Sequence, residues 1–113
     1  MTPFEAGRKA ERIATNFLER KGCTIVARNW RTRRCEIDVI AEREGIVYFC
    51  EVKYRSHNYQ GSGLDYITPM KLRQMRFAAE VWVATYGWDG PYELCAIELC
   101  GPHFKITKVI KDL

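Results

Sequence analysis

A chain of 113 residues, 47% hydrophobic and 28% charged, has the make-up of an ordinary soluble globular protein, and one domain spanning residues 1–113 is expected, with a core large enough to need no staples. No apolar run approaches a bilayer-spanning length, and the start Met1-Thr2-Pro3-Phe4-Glu5 has neither a basic lead nor an apolar signal core, so neither a membrane span nor a secretory signal is expected. The formal charge of +4 is mild and selects no partner by itself. Five cysteines, an odd number without any Cys-x-x-Cys pair, point to buried free thiols in a reducing cytoplasm rather than to zinc or disulfides.

Residues 5–21 form an amphipathic helix, with Ala10, Ile13, Ala14, Phe17 and Leu18 at three- and four-residue spacing and Gly22 as its stop. Cys23 to Asn29 is a first strand, and Trp30 to Arg33 turns the chain into a second, Glu36 to Ala41. A charged break from Glu42 to Gly45 leads into Ile46 to Lys53, so the first three strands make an antiparallel meander. The polar stretch 55–67, with Gly61 and Gly63 and no periodicity, reads as a mobile binding loop. Thr68 caps a second helix with Pro69 in its first turn; it runs to about Tyr86, ends at Gly87, and packs through Leu72, Met75, Ala79, Trp82 and Val83. Tyr92 to Leu99 and Phe104 to Ile110 are two further strands around a Gly101-Pro102 turn. The fold class is therefore α/β, an αβββαββ order with a mixed sheet flanked by two helices, one on each face or both on one side.

The unusual feature is acid inside strands that should be buried: Glu36 and Asp38 on the second strand, Glu51 and then Lys53 on the third. Residues two apart share a face, so Glu51 and Lys53 extend the apolar face of Val47 and Phe49, and Asp38 that of Ile40. Solvent-facing ion pairs would not sit on such faces, and charges there are costly unless they are paired or hold a metal. Glu11 lies at the edge of the first helix's apolar stripe, either as a boundary residue or reaching toward the sheet. Carboxylates of this kind are hard ligands for Mg²⁺ or Mn²⁺, with Asp38 and Glu51 as the pair and Glu11 completing the shell directly or through water. Lys53 would orient or deprotonate a water and stabilise charge at phosphorus, which describes phosphodiester hydrolysis. A structural ion-pair cluster is the competing reading.

Arg28, Arg31, Arg33 and Arg34 precede the acidic strand, Arg55 follows the third, and Lys71, Arg73 and Arg76 lie on the second helix. A basic rim around an acidic centre suits a nucleic acid whose phosphate meets a bound cation. Tyr54, Tyr59 and Tyr66 lie near the loop and could stack on bases, although Tyr54 is expected to pack in the sheet; His57 reads as a solvent-facing loop residue.

The spacing Asp38-x(12)-Glu51-x-Lys53 resembles the PD-(D/E)xK signature of the restriction-endonuclease-like fold. Nearly the whole chain is similar to the small bacterial YraN-like family of predicted endonucleases, related to archaeal Holliday junction resolvases. The resemblance rests on Gly7, Glu11 and Ala14, on Arg28-Asn29-Trp30-Arg31, on Glu36-Ile37-Asp38, on Phe49 with Glu51-Val52-Lys53 and Arg55, and on Lys71 and Ala79. It implies an endonuclease-like core with Glu11, Asp38, Glu51 and Lys53 as the site, Mg²⁺ as cofactor, and structured or branched DNA as substrate. A homodimer is compatible with it, since junction resolvases are dimers. Two positions depart from the family's pattern: Cys35 stands where a glycine usually precedes Glu-Ile-Asp, and Glu93-Leu94-Cys95 where a later strand usually reads Arg-Phe-Asp. The alternatives are a non-catalytic nucleic-acid-binding module of the same fold and an RNA-processing nuclease.

Overall fold

The computed structural model describes residues 1–57 and 66–113. Seven elements follow in chain order: α1 (Pro3–Arg20), β1 (Thr24–Arg31), β2 (Glu36–Arg43), β3 (Ile46–Arg55), α2 (Pro69–Tyr86), β4 (Tyr92–Cys100) and β5 (Lys105–Lys111). This is the αβββαββ order expected of the sequence. Tyr59, Gly61 and Gly63 of the anticipated loop lie outside the described residues.

Both helices start on the same chemistry. Thr2 caps α1 and Thr68 caps α2, each followed by Pro at the first helical position. In α1 a full capping box forms, with Thr2 accepting from the Glu5 amide at 3.1 Å and Glu5 accepting from the Thr2 amide at 2.7 Å. This box places the helix start two residues before the periodicity does. α1 ends as expected at Gly22, whose φ of 94° turns the chain so that Cys23 N–H reaches Leu18 O. α2 ends on left-handed Gly87.

The strands lie in the order β1-β2-β3-β4-β5 in one sheet. β1, β2 and β3 form the antiparallel meander, β3 and β4 pair in parallel across the α2 crossover, and β5 returns antiparallel to β4. The β2–β3 turn uses Glu44 and Gly45, both at positive φ, the primed geometry that matches strand twist. β4 lies between β3 and the edge strand β5, and Leu94 to Cys100 are buried without a break, as expected of a strand covered on both faces.

The helices cover opposite faces. Ala10, Ala14 and Leu18 of α1 pack on Val39, Ala41, Cys50, Ile97 and Leu99. Ala78, Ala79 and Trp82 of α2 pack on Ile37, Ile40, Val47, Phe49 and Leu94, with Phe49 and Trp82 edge to face at 5.5 Å. Tyr54 packs as expected: it stacks on Phe104 at 4.2 Å and donates to Gly101 O at 2.9 Å. All five cysteines are free, and Cys50, Cys95 and Cys100 are buried. No helix among the described residues is long and apolar enough to cross a membrane.

Strict alternation fails in β2, apart from the register shifts at Ile25/Ala27 and Glu98/Leu99. Ile37 packs on the α2 side together with Ile40, whereas Val39 and Ala41 pack on the α1 side. The break centres on Asp38. Opposite it, between the pairs Arg28↔Val39 and Trp30↔Ile37, Asn29 adopts a left-handed φ of 51° in mid-strand. A residue of this conformation bends the hairpin, and Asn tolerates it better than a residue with a plain Cβ. Asn29→Ala is expected to cost about 1 kcal/mol in urea denaturation and Asn29→Gly less. Equal, negligible losses in both variants would show that the bend is unstrained.

Candidate functional site

The site forms where two strands part. Main-chain pairing of β2 with β3 runs from Arg43↔Ile46 to Val39↔Cys50 and ends there, although β2 extends back to Glu36 and β3 on to Arg55. Beyond that point β2 stays with β1, and β3 with β4. In the opening, Asp38 Oδ2 accepts from the Val52 amide at 2.8 Å, serving that N–H as a β2 carbonyl would in a continued ladder. The hydrogen bond fixes the carboxylate beside Glu51, one residue before Val52.

The electrostatics of Asp38 report its neighbours. Its carboxyl is pushed up to about 7, first by burial and next by the charge of Glu51, with Glu11 of α1 adding to both. The Val52 amide and the Lys71 ammonium pull the other way without prevailing. The charges of Glu51 on β3 and Glu11 on α1 thus both reach Asp38 on β2. Glu36 is not one of these acids. It is exposed, lies 3.5 Å from Arg31 of the neighbouring strand, and takes no part in the crowding.

Glu51 has a partner the sequence does not suggest: Lys71 Nζ, from the first turn of α2, lies 3.1 Å from its Oε2. Lys53, two residues from Glu51, is exposed, with its ammonium 6.0 Å from the centre of the Tyr66 ring. Among the described residues no group of three or more His, Cys, Asp or Glu side chains stands ready to hold a metal ion. Glu11 thus acts on Asp38 through charge, without a preassembled three-carboxylate shell.

The basic residues separate into three sets. Arg31, Arg34 and Lys71 line a cavity of about 560 Å³ between the β1–β2 turn and α2, joined by Arg73 and floored in part by Met75 and Phe77. Arg28 and Arg33 are exposed and outside that lining. Arg55 is held inward: its Nε lies 3.1 Å from Glu98 Oε2, out of line for a hydrogen bond, so the contact is one of charge. On the other side of the site Lys53 borders a second cavity of about 740 Å³ with Gly7, Lys9, Val52 and Tyr54.

Glu98 is the residue that sequence reasoning missed. Only 2% exposed, it sits on β4 at the register of Lys53, accepts from Thr107 Oγ1 at 2.9 Å, and pairs with Arg55. Tyr66 lies over Arg55, and its phenol is pushed up to about 12 by burial first and then by Glu98 and Glu51. The available signal was a glutamate inside the unbroken apolar run Cys95-Ala96-Ile97-Glu98-Leu99-Cys100.

Neither departure from the family pattern disturbs the site. Cys35 closes its turn by accepting the Thr32 amide on its carbonyl at 2.8 Å, with the thiol 3.3 Å from Thr32 Oγ1; its φ is negative, so glycine is not required. Leu94 and Cys95 are core residues of β4 on opposite faces.

Comparison with known proteins agrees with the architecture's small size. Residues 10–107 match the model of the family described as "Uncharacterised protein family UPF0102". A UPF0102 protein of Leifsonia xyli is 42% identical over 83 residues, covering 74% of this chain and 70% of that protein. One of Cytophaga hutchinsonii is 32% identical over 106 residues, 94% of each chain, and one of Mycolicibacterium smegmatis is 37% identical over 103 residues, 89% of this chain and 82% of that one. The chain belongs to the UPF0102 family, the YraN-like group that the sequence resembles.

Proposed function

We propose, taking membership of the UPF0102 family as the premise, that this protein is a Mg²⁺- or Mn²⁺-dependent endonuclease of the PD-(D/E)xK kind acting on structured or branched DNA in repair or recombination. The observation that carries the reading is Asp38, a carboxylate set at the parting of β2 and β3 and crowded by Glu51 and Glu11. The donor set fits the ion. These are hard oxygens, and Mg²⁺ typically keeps several waters while using one or two carboxylates, so a preassembled three-ligand shell is not needed. Asp38 and Glu51 would hold it, with Glu11 reaching it directly or through water. Once bound, the ion would supply Lewis acidity at a phosphate oxygen.

The chain's own groups would do the rest. Lys53, exposed and two residues from Glu51, would orient the attacking water and stabilise charge at phosphorus. Arg31, Arg34 and Arg73 would receive flanking phosphates in the cavity beside α2. Five free thiols support a reducing cytoplasm as the place of action. A junction needs two cuts, which a homodimer would provide.

A second reading has its own support. The basic cavity needs no metal, and Lys71 already neutralises Glu51, so a non-catalytic nucleic-acid-binding module of the same fold is the alternative. Cleavage of flap, four-way-junction, single-stranded and duplex DNA in Mg²⁺ and Mn²⁺, with RNA counterparts alongside, separates the two. Metal-dependent cutting is expected, reduced about 100-fold or more in Lys53→Ala. Salt-sensitive binding without cutting, unchanged in Lys53→Ala, would establish the module instead.

A further inference from the structure

Lys71 is in a place that local chemistry does not favour. It is the third residue of α2, and its amide donates to the capping Thr68 Oγ1 at 3.0 Å. The equivalent position of α1 holds Glu5, which completes a capping box. A cation at a helix N-terminus opposes the helix dipole, and α2 has no acid in its first turn to offset it. The compensation comes from twenty residues away in the sequence, where Glu51 Oε2 meets the ammonium at 3.1 Å.

The pair is mostly out of solvent, with side-chain exposures of 33% for Lys71 and 19% for Glu51. It balances one of the three negative charges crowded around the opening of the sheet. The same lysine also lines the 560 Å³ cavity with Arg31, Arg34 and Arg73. Its ammonium thus stands at a boundary, with carboxylates on one side and a basic cavity on the other. Four methylenes let such a head group move between the two without any change of backbone.

Resting on the metal-dependent reading above, we infer that Lys71 is a switch that couples loading of the carboxylates to capture of a phosphate. A divalent cation held by Asp38 and Glu51 would repel an ammonium within a few ångströms of it, so the two compete for Glu51. Lys71 leaves as the ion enters, and the cavity gains a fourth cation facing its contents. The converse follows by linkage: a phosphate that draws Lys71 into the cavity bares Glu51 for the ion, so each ligand strengthens the other. Lys71 is a positioning residue in this scheme, acting on Glu51 and on bound backbone rather than on the reacting atoms.

The test reads binding, not turnover. Mg²⁺ is titrated calorimetrically into wild type, Lys71→Met and Lys71→Gln, and binding of a short DNA duplex is followed by fluorescence anisotropy with and without Ca²⁺. Without DNA, both variants are expected to bind Mg²⁺ about fivefold or more tightly than wild type, because the competing charge is gone. The gain in duplex affinity on adding Ca²⁺ is expected to shrink several-fold in both, while Lys71→Arg keeps it. Wild type that binds divalent ions, with variants whose Mg²⁺ affinity is unchanged or weaker, overturns the switch and leaves the metal site standing. Wild type that binds none overturns both. Lys71→Gln keeps a polar side chain on Glu51, so a folding defect confined to Lys71→Met leaves the comparison intact.

Discussion

Asp38→Asn is expected to make the metal-free protein more stable at pH 8 while abolishing metal-dependent cleavage. Unfolded, the Asp38 carboxyl titrates near its ordinary 3.8; folded, it is pushed up to about 7 by burial and then by Glu51 and Glu11. Below pH 3.8 both states are protonated and the shift has no effect on stability. Between there and about 7 the unfolded state has released a proton that the folded state still holds, so stability falls as pH rises. Above about 7 the whole penalty is present, on the order of a few kcal/mol. Asparagine keeps an oxygen for the Val52 amide and carries no charge. Its thermal midpoint should exceed that of wild type by about 5 °C or more at pH 8, with the gap closing toward pH 5. Mg²⁺ should narrow the gap at pH 8 by stabilising wild type alone. The apparent Mg²⁺ affinity of wild type should weaken as pH is lowered through about 7, because the ion must displace the Asp38 proton. A lower midpoint for Asp38→Asn at pH 8 would mean that Asp38 contributes structure rather than a strained ligand.

The second large effect concerns the pair on β3 and β4. Arg55→Met leaves Glu98, 2% exposed, without its cation and is expected to cost on the order of 3 kcal/mol in chemical denaturation. Arg55→Met combined with Glu98→Leu should recover most of that loss, since an apolar pair of similar volume removes the buried charge altogether. The Thr107 hydroxyl, which now donates to Glu98, would still have the Glu98 carbonyl at 3.3 Å as acceptor. A loss below about 1 kcal/mol for Arg55→Met would place the pair with solvent-screened ion pairs and remove the case for Arg55 as an anchored side chain.

These two sites differ in how far the sequence exposes them. The acidic strand is plain, because carboxylates at 36, 38 and 51 interrupt apolar runs, and the seven elements follow from periodicity and from Gly and Pro punctuation. Helix caps are legible as well: Thr2-Pro3 repeats the Thr68-Pro69 signal, and applying it twice gives the start of α1. The geometry of Asp38 is not legible. Period-two alternation tells which residues share a face of a continuous ladder, and at Asp38 the ladder stops. That is why Glu36, grouped with Asp38 by alternation, pairs instead with Arg31, and why Ile37 and Val39 lie on different sides of the sheet. The partner of Glu51 is equally hidden. Lys53 is the nearer basic residue in sequence, but α2 brings Lys71 across the parallel crossover to within 3.1 Å. Alternation also leaves open which faces the helices take, and only packing assigns one to each.

Asn29 shows the intermediate case. It stands in a run the sequence marks as characteristic, yet nothing in its type distinguishes a surface residue from a left-handed hinge at the level of Asp38. The bend belongs to the same feature as the missing β2–β3 pairs. Together they leave Asp38 outside a continued ladder, with one carboxylate oxygen on the Val52 amide.

Crystals soaked in Mn²⁺ test the centre of this account most directly, through anomalous scattering at the opening of the sheet. A peak between the Asp38 and Glu51 carboxylates, with Lys71 withdrawn from Glu51, is the predicted result. No peak there at millimolar Mn²⁺, with the Lys71–Glu51 pair intact, would contradict it and leave a basic surface on a sheet that holds no ion.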